Sequence, residues 1–427
     1  MSALSVIDQT GITQKTENLD CIHCGICLSA CPTYTKVWRE ADSPRGRIYL
    51  INSVAAGKIE FDSTFQRHID LCLGCRACES ACPSGVQFER LLTEARWKME
   101  EAMPRRGLAG LIRKVGLEYL LPHPGRLHLF FKLTRWMQKF RLGRLHRLFP
   151  SGSVLERSLQ QLDNLPPLDR QATVLNGTFE SAPGGQHQVE FFRGCVMNEL
   201  YFPAQIATIE VLRAAGFGVR IGAGQTCCGA LHEHNGEREQ ARSLARKNIQ
   251  AFENSGTVPI ITNSAGCGAL LKHYDHLFEP GDPFLERARR FSARVQDISE
   301  FLAAQPALPL KPLPARVTYD DPCHLIHGQK IWQQPRLLLQ QIPELEYVEL
   351  NKASWCCGSA GSYSLTQPEM SAQVLKDKID SIASTGAKIL VTANPGCMLQ
   401  IQSGLKKAGL DVEVLHLVEI LNRSIAD

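Results

Sequence analysis

The stretches QTCCGALHEH, residues 225–234, and SWCCGSAGSY, residues 354–363, each set two cysteines side by side in front of a glycine. Adjacent thiols rarely bridge to each other, because a disulfide constrains Cα separation and side-chain torsions. Working outward from the two pairs exposes an internal repeat. Cys195 precedes Cys227 by 32 positions, and Cys323 precedes Cys356 by 33. Cys228 precedes Cys267 by 39, and Cys357 precedes Cys397 by 40. The copies also end alike, in VQDISEFL at 295–302 and VEVLHLVEIL at 412–421.

Each copy alternates short apolar runs with helical patterns. VEFFRGC and RVTYDDPC read as strands ending in cysteine, and VPIITNSAGC and AKILVTANPGC as later strands of the same kind. Alternation of this sort predicts parallel sheets covered by helices, with ligands held at the carboxyl ends of the strands. Every cysteine of both copies falls just after a predicted strand. Two sets follow, Cys195, Cys227, Cys228 and Cys267 in the first copy and Cys323, Cys356, Cys357 and Cys397 in the second. Four soft ligands per set suit an iron–sulfur or zinc centre. Buried structural cysteines and an exchanging dithiol are the competing readings. Gly229 and Gly358 are expected to adopt positive φ or to let the backbone approach a ligand.

The other eight cysteines lie upstream. CIHCGICLSACP, residues 21–32, and CLGCRACESACP, residues 72–83, both follow C-x2-C-x2-C-x3-C-P, the spacing of bacterial two-cluster ferredoxins. Three thiolates at that spacing wrap one [4Fe–4S] cubane, while the fourth, before proline, turns to the other cluster. The expected ligand sets are Cys21, Cys24, Cys27 and Cys82 for one cluster, and Cys72, Cys75, Cys78 and Cys31 for the second. Zinc sites use four ligands in one or two pairs and do not call for the doubled run. Arg45 and Arg47, in the helical SPRGRIYLINSVAAG between the runs, read as solvated or salt-bridged residues rather than modulators of a cluster.

Composition narrows the classes. The 427-residue chain is 44% apolar and 21% charged, a soluble, globular balance with room for two to three domains. Residues 1–20 lack a basic start followed by an apolar run, so no export signal is expected, and no apolar stretch is long enough to span a bilayer. Sixteen cysteines in a reducing cytoplasm point to metal or redox chemistry and not to disulfides. Between Pro104 and Pro150 eleven Lys or Arg face one acid, Glu118, whereas the rest of the chain is net acidic. There Leu129, Leu133, Trp136 and Phe140 fall on one helix face and Lys132, Arg135 and Lys139 on another. This is the pattern of an interfacial membrane anchor, or of a connector whose apolar face packs on the later domains or on a partner. Nucleic acid is not indicated, since no reading motif accompanies the charge. GAGQTCCG has glycines but runs into cysteines, so no dinucleotide fingerprint is present and no catalytic residue is assigned.

The expected architecture is an α+β multidomain chain. A helical two-cluster ferredoxin domain spans 1–103, a basic amphipathic connector and linker 104–185, and two tandem α/β cysteine-rich repeats 186–305 and 306–427.

The order of a ferredoxin pair and two C…CCG…C repeats resembles the cysteine-rich-domain family, which includes iron–sulfur subunits of glycolate oxidase, heterodisulfide reductase and anaerobic glycerol-3-phosphate dehydrogenase. RGCVMNELYFP, CCGALHEHNGE, NSAGCGA, YDDPCHLIHGQ, CCGSAGSY and ANPGC look most like the glycolate oxidase branch. That resemblance implies an electron-transfer subunit without its own substrate site, an FAD-containing partner that oxidises glycolate, further flavin-type subunits, and a membrane quinone as acceptor. It implies two [4Fe–4S] clusters, further iron–sulfur or zinc centres in the repeats, and a cytoplasmic chain peripheral to the membrane. The alternatives are a thiol–disulfide enzyme of heterodisulfide reductase type, a glycerol-3-phosphate dehydrogenase subunit, and an assembly protein holding zinc. Fuller versions of the repeat end in C-x-x-C; here Ser264 and Asn394 stand at the first of those positions, which argues against five-thiolate centres. His232, His234, His324 and His327, near the rim, are read as ligands, quinone-pocket donors or local hydrogen-bonders.

Overall fold

A computed structural model describes residues 21–140, 148–150, 153, 156, 159, 165–169, 171–181 and 187–426. The segment 1–20, read above as free of an export signal, and much of the linker lie outside the described residues.

Two sheets organise the C-terminal two-thirds. In the first repeat β1 (Gly177–Phe179), β2 (His187–Phe192), β3 (Phe217–Ile221), β4 (Ile260–Thr262) and β5 (Val295–Asp297) lie in the order β1-β3-β2-β4-β5. All neighbours are parallel except β1, which joins the edge antiparallel to β3. In the second repeat β6 (Arg316–Tyr319), β7 (Glu346–Val348), β8 (Ile389–Thr392) and β9 (Glu413–His416) lie in the order β7-β6-β8-β9, all parallel. The two sheets share the order of their four parallel strands, as a duplication requires. Val189, Phe191, Ile261, Val317 and Leu390 are inaccessible to water, because helices cover both faces of a parallel sheet. Strand β1 comes from the stretch read as linker, and Leu168, Ala172 and Leu175 of that stretch enter the same core.

The repeats share one apolar core that runs from Val189 and Phe191 to Leu390 and Ile420. Polar joints fix their register. Ala265 N donates to Ala393 O at 3.1 Å, Gly266 N donates to Asn394 Oδ1 at 3.1 Å, and Tyr201 bonds Gln402 at 3.1 Å. The last helices of the two copies, Ile298–Ala303 and Leu417–Ser424, both begin with a capping box, Asp297 with Glu300 and His416 with Glu419. His416 also joins the halves, donating from Nε2 to Asn263 O at 2.7 Å.

The ferredoxin domain has its own core, in which helices Pro44–Ala55, Ser63–Asp70 and Phe88–Ala102 pack Ile51, Val54, Phe65, Ile69, Leu92 and Ala95. It docks on both repeats. Arg96 donates to His234 O and Cys72 O, Tyr363 donates to Leu71 O, and Lys36 pairs with Asp377 at 2.7 Å.

The connector departs from the packed reading in which face it buries. Along the helix Pro124–Lys139, Leu127, Phe131 and Thr134 are buried, and Arg135 pairs with Glu199 at 3.0 Å. Leu129, Leu133, Trp136 and Phe140 are each more than half exposed. The preceding helix, Gly107–Lys114, and its continuation to Leu120 likewise leave Leu108, Leu111, Val115 and Tyr119 exposed. The sequence period identified a stripe, but the stripe that packs is the one offset from it, because the first repeat offers its carboxylate to Arg135.

His416 supplies a pH test. Its neutral ring accepts from Val418 N through Nδ1 while donating through Nε2, and burial lowers its pKa from 6.5 to about 4. A depressed pKa gives stability that is complete above 6.5 and lost as pH falls through 6.5 toward 4, about 3 kcal/mol in all. Thermal unfolding from pH 7.5 to 5 should therefore fall more steeply for the wild type than for His416→Asn, which keeps a capping side chain without the titration. Parallel curves would contradict the assignment.

Candidate functional site

The eight repeat cysteines arrive at one place. Cys195, Cys227, Cys228, Cys267, Cys323, Cys356, Cys357 and Cys397 all line a single cavity of about 390 Å³ between the repeats. Ser264 and Asn394, at the positions of the missing thiols, are on its wall as well. Within each set the sulfurs are in contact, Cys195 with Cys227 at 3.5 Å and Cys357 with Cys397 at 3.4 Å. All sixteen cysteines of the chain are free thiols.

The adjacent pairs owe their geometry to the glycines that follow. Gly229 and Gly358 have φ of 92° and 83°, and their amides point back at Cys227 Sγ (3.5 Å) and Cys356 Sγ (3.4 Å). Amide N–H groups aimed at sulfur favour the thiolate. The two turns differ in the room they have. A Cβ on Gly358 would lie 2.7 Å from Ser371 O, whereas on Gly229 the nearest atom is Ala241 Cα at 3.3 Å.

The two sets also differ electrostatically. In the first repeat the contact with Cys195 raises Cys227, and successive sulfur contacts raise Cys228 and Cys267. In the second, Cys356 and Cys397 are raised but Cys323 and Cys357 are held well below the ordinary thiol value, chiefly by hydrogen bonds from their sulfur neighbours. His324 Nδ1, 3.3 Å from Cys323 Sγ, adds to this, where the first repeat has Val196. Burial opposes charge on His324, yet the Cys323 thiolate holds its pKa above the usual value. Sharing of protons among touching thiols is what a bound metal ion replaces, so both sets fit a metal or cluster.

Only two of the four rim histidines face the cavity. His234 and His324 line it, with ring centroids 5.1 Å apart. His232 instead donates to Leu117 O at 2.6 Å, and His327 bridges Ser80 Oγ and Ser354 O, so these two secure the connector and the ferredoxin domain.

In the ferredoxin domain Cys31, Cys72, Cys75 and Cys78 line one small pocket. Gly74 N donates to Cys72 Sγ at 3.4 Å. Arg47, fully buried, bonds His68 O and Thr33 Oγ1 and lies 4.0 Å from Cys31 Sγ. Burial works against its charge, but Cys72 and Cys31 more than restore it. Arg47 therefore differs from the surface residue expected, while Arg45 is one, paired with Glu40 at 2.7 Å. On the other side Cys27 is pushed up to about 11 by burial and by Cys21, with Cys82 contributing. Cys24 is exposed. Four thiols around a void, an amide on sulfur and a buried cation are what a cubane of net negative charge requires. Cys72 belongs to the pocket and also to the wall of the inter-repeat cavity. Burial, and next the Cys323 thiol, raise Cys75, so the second ferredoxin pocket and the second repeat are electrostatic neighbours.

Comparisons with known proteins agree with this layout. The 4Fe-4S dicluster domain family matches residues 17–86, and the cysteine-rich domain family matches 189–272 and 317–402. The chain is 39% identical over 415 residues to a probable glycolate oxidase iron–sulfur subunit of Bacillus subtilis (strain 168), covering 95% of this chain and 93% of that one. It is 31% identical over 412 residues to the glycolate oxidase iron–sulfur subunit of Escherichia coli (strain K12), covering 95% and 93%. Lactate utilization protein A of Oceanobacillus iheyensis is 33% identical over 240 residues, 55% of this chain and 96% of that protein.

The unequal space behind the two glycines gives a differential test. Gly358→Ala combines a left-handed backbone, costing about 1–2 kcal/mol for a residue with Cβ, with a collision against Ser371 O. It should lower the melting temperature more than Gly229→Ala does. Equal effects on melting would refute the geometry.

Proposed function

The chain belongs to the family of glycolate oxidase iron–sulfur subunits, and from that premise we propose that it accepts electrons from an FAD-containing partner oxidising glycolate and delivers them toward a membrane quinone. The observation that carries the reading is the shared wall at Cys72. The ferredoxin pocket and the cavity of the eight repeat cysteines are contiguous there, so redox centres in both would be within short reach. Bound clusters supply reversible one-electron chemistry. Cys21, Cys24, Cys27 and Cys82 would hold one [4Fe–4S] cluster, and Cys72, Cys75, Cys78 and Cys31 the second. The two repeat sets would hold further iron–sulfur or zinc centres. The chain's own groups set the environment. Arg47 offsets negative charge at Cys31 and Cys72, the amides of Gly74, Gly229 and Gly358 do the same at sulfur, and Leu73, Tyr363 and Met370 pack around Cys75 and Cys356 and keep water out. The flavin and the substrate site would belong to the partner chain.

The test mixes the anaerobically purified chain with the flavoprotein. Glycolate should bleach the visible absorption of this chain only when the flavoprotein is present. Cys31→Ser should lose about four irons and slow chain-dependent acceptor reduction. Rapid reduction of disulfides by the isolated chain, with no flavoprotein, would favour the heterodisulfide reductase reading instead.

The membrane part of the proposal is supported by the two connector helices. Eight large apolar side chains from Leu108 to Phe140 are exposed beside Arg106, Arg126 and Lys132, which have no ion-pair partner among the described residues. No helix among the described residues is long and apolar enough to cross a bilayer, so the contact would lie in the interface. The full chain should float with vesicles containing phosphatidylglycerol and bind less in high salt. Leu129→Ser/Trp136→Ser/Phe140→Ser should bind several-fold less while retaining its iron. Undiminished flotation of the triple variant would exclude these helices as the contact.

A further inference from the structure

The first repeat carries a segment that the second lacks. After Cys267 its helix stops at Leu271, and a 3₁₀ turn, Tyr274–Leu277, leads to the helix Leu285–Ser292. The second repeat runs on instead as one helix, Pro395–Ala408. His273 and His276 lie three residues apart at this turn, and 3₁₀ geometry eclipses side chains at that spacing. Their rings stack, with 4.9 Å between centroids and 11° between planes. One donor atom from each of His273, Asp275 and His276 lies within 4.8 Å of the others. The turn is pinned from below by Tyr274, which is fully buried, donates to Cys228 O at 2.7 Å and accepts from Asn248 Nδ2 at 3.0 Å.

We propose that His273, Asp275 and His276 form a binding site for a divalent transition-metal ion of the zinc class, separate from the sixteen cysteines. Two imidazoles and a carboxylate are a donor set that zinc accepts with water in the remaining position. Because a ring lone pair lies in the ring plane, binding turns the more exposed His276 ring out of the stack. A nitrogen and oxygen set also discriminates against the softer ions that thiolates select. Arg76 and Arg90 set a positive field at the two imidazoles, which works against a cation. The cavity of about 440 Å³ that the three residues border is also lined by Glu89, Glu94 and Glu279 against Arg90, Arg238 and Arg289, while burial and Glu89 raise Glu233 to about 8 and leave it protonated at neutral pH. One wall of that cavity is the ferredoxin helix Phe88–Ala102, through Glu89, Glu94 and Trp97, and the other is the first repeat. An ion held there cross-links the turn itself, which Tyr274 anchors beside Cys228.

The measurement uses the full chain with its iron–sulfur centres in place. Wild type and His273→Ala/His276→Ala are incubated anaerobically with about two equivalents of zinc chloride, desalted, and assayed for zinc and iron per chain. The expected result is about one zinc fewer in the double variant at equal iron, since zinc entering unfilled thiol sets cancels in the comparison. Added zinc should raise the melting temperature of the wild type more than that of the variant. Equal zinc in the two proteins overturns the proposal. If the double variant also loses iron, His276→Gln decides, because that side chain is more than a third exposed and its replacement leaves the packing intact. Zinc binding weakened about tenfold in His276→Gln supports the site, and unchanged binding refutes it. Glycolate-dependent bleaching of the chain is independent of either outcome, so this inference and the proposed function fail separately.

Discussion

The hydrogen bond from Ala265 N to Ala393 O, with its partner from Gly266 N to Asn394 Oδ1, ties together the two strand ends on which the rest of the molecule depends. Parallel sheets deliver their loops to one edge, and here two such edges are held face to face by main-chain contacts. Both cysteine sets consequently open into the same cavity. The ferredoxin domain closes that arrangement from a third side, anchored where Arg96 bonds Cys72 O and His234 O.

The duplication does not make the halves equivalent. The second set has His324 against Cys323 and lies beside Cys75, whereas the first has an apolar neighbour, Val196, at the corresponding place. In the second set Cys323 and Cys357 are biased toward the thiolate and Cys356 and Cys397 away from it, while in the first Cys227, Cys228 and Cys267 are all biased away. Equal ligand counts thus sit in unequal fields. Behind the second set lies the Lys378–Asp320 pair, at 2.7 Å and almost wholly buried, and burial raises Asp320 to about 6 despite its lysine.

What the sequence disclosed follows from what spacing encodes. The interval between cysteines reported the repeat because strand, helix and loop lengths must recur if the ligands are to converge, and the doubled ferredoxin run is specific for the same reason. The alternation of apolar runs located β2, β4, β6 and β8 through burial on both faces. Spacing does not encode which side of an element meets a neighbour. The exposed stripe of the connector and the structural roles of His232 and His327 depended on Glu199, Leu117 and Ser80, distant in the chain. Strand β1 was hidden in a polar stretch because an edge strand carries no apolar run. Arg47 was misread because nothing local distinguishes a buried arginine from a solvated one; its position one turn into a helix packed on Cys31 does.

Asn394 occupies the place of a missing thiol and, through the same side chain, closes the first turn of the helix that carries Cys267 in the opposite repeat. Its amide nitrogen meanwhile reaches Cys397 Sγ at 3.6 Å. One residue therefore has duties in both halves, and a cysteine there would gain a ligand for one centre by loosening the support of the other. A fifth thiolate in the second repeat would require the first to find another acceptor for Gly266 N. Ligand number in one half is, in this architecture, set by the helix geometry of the other.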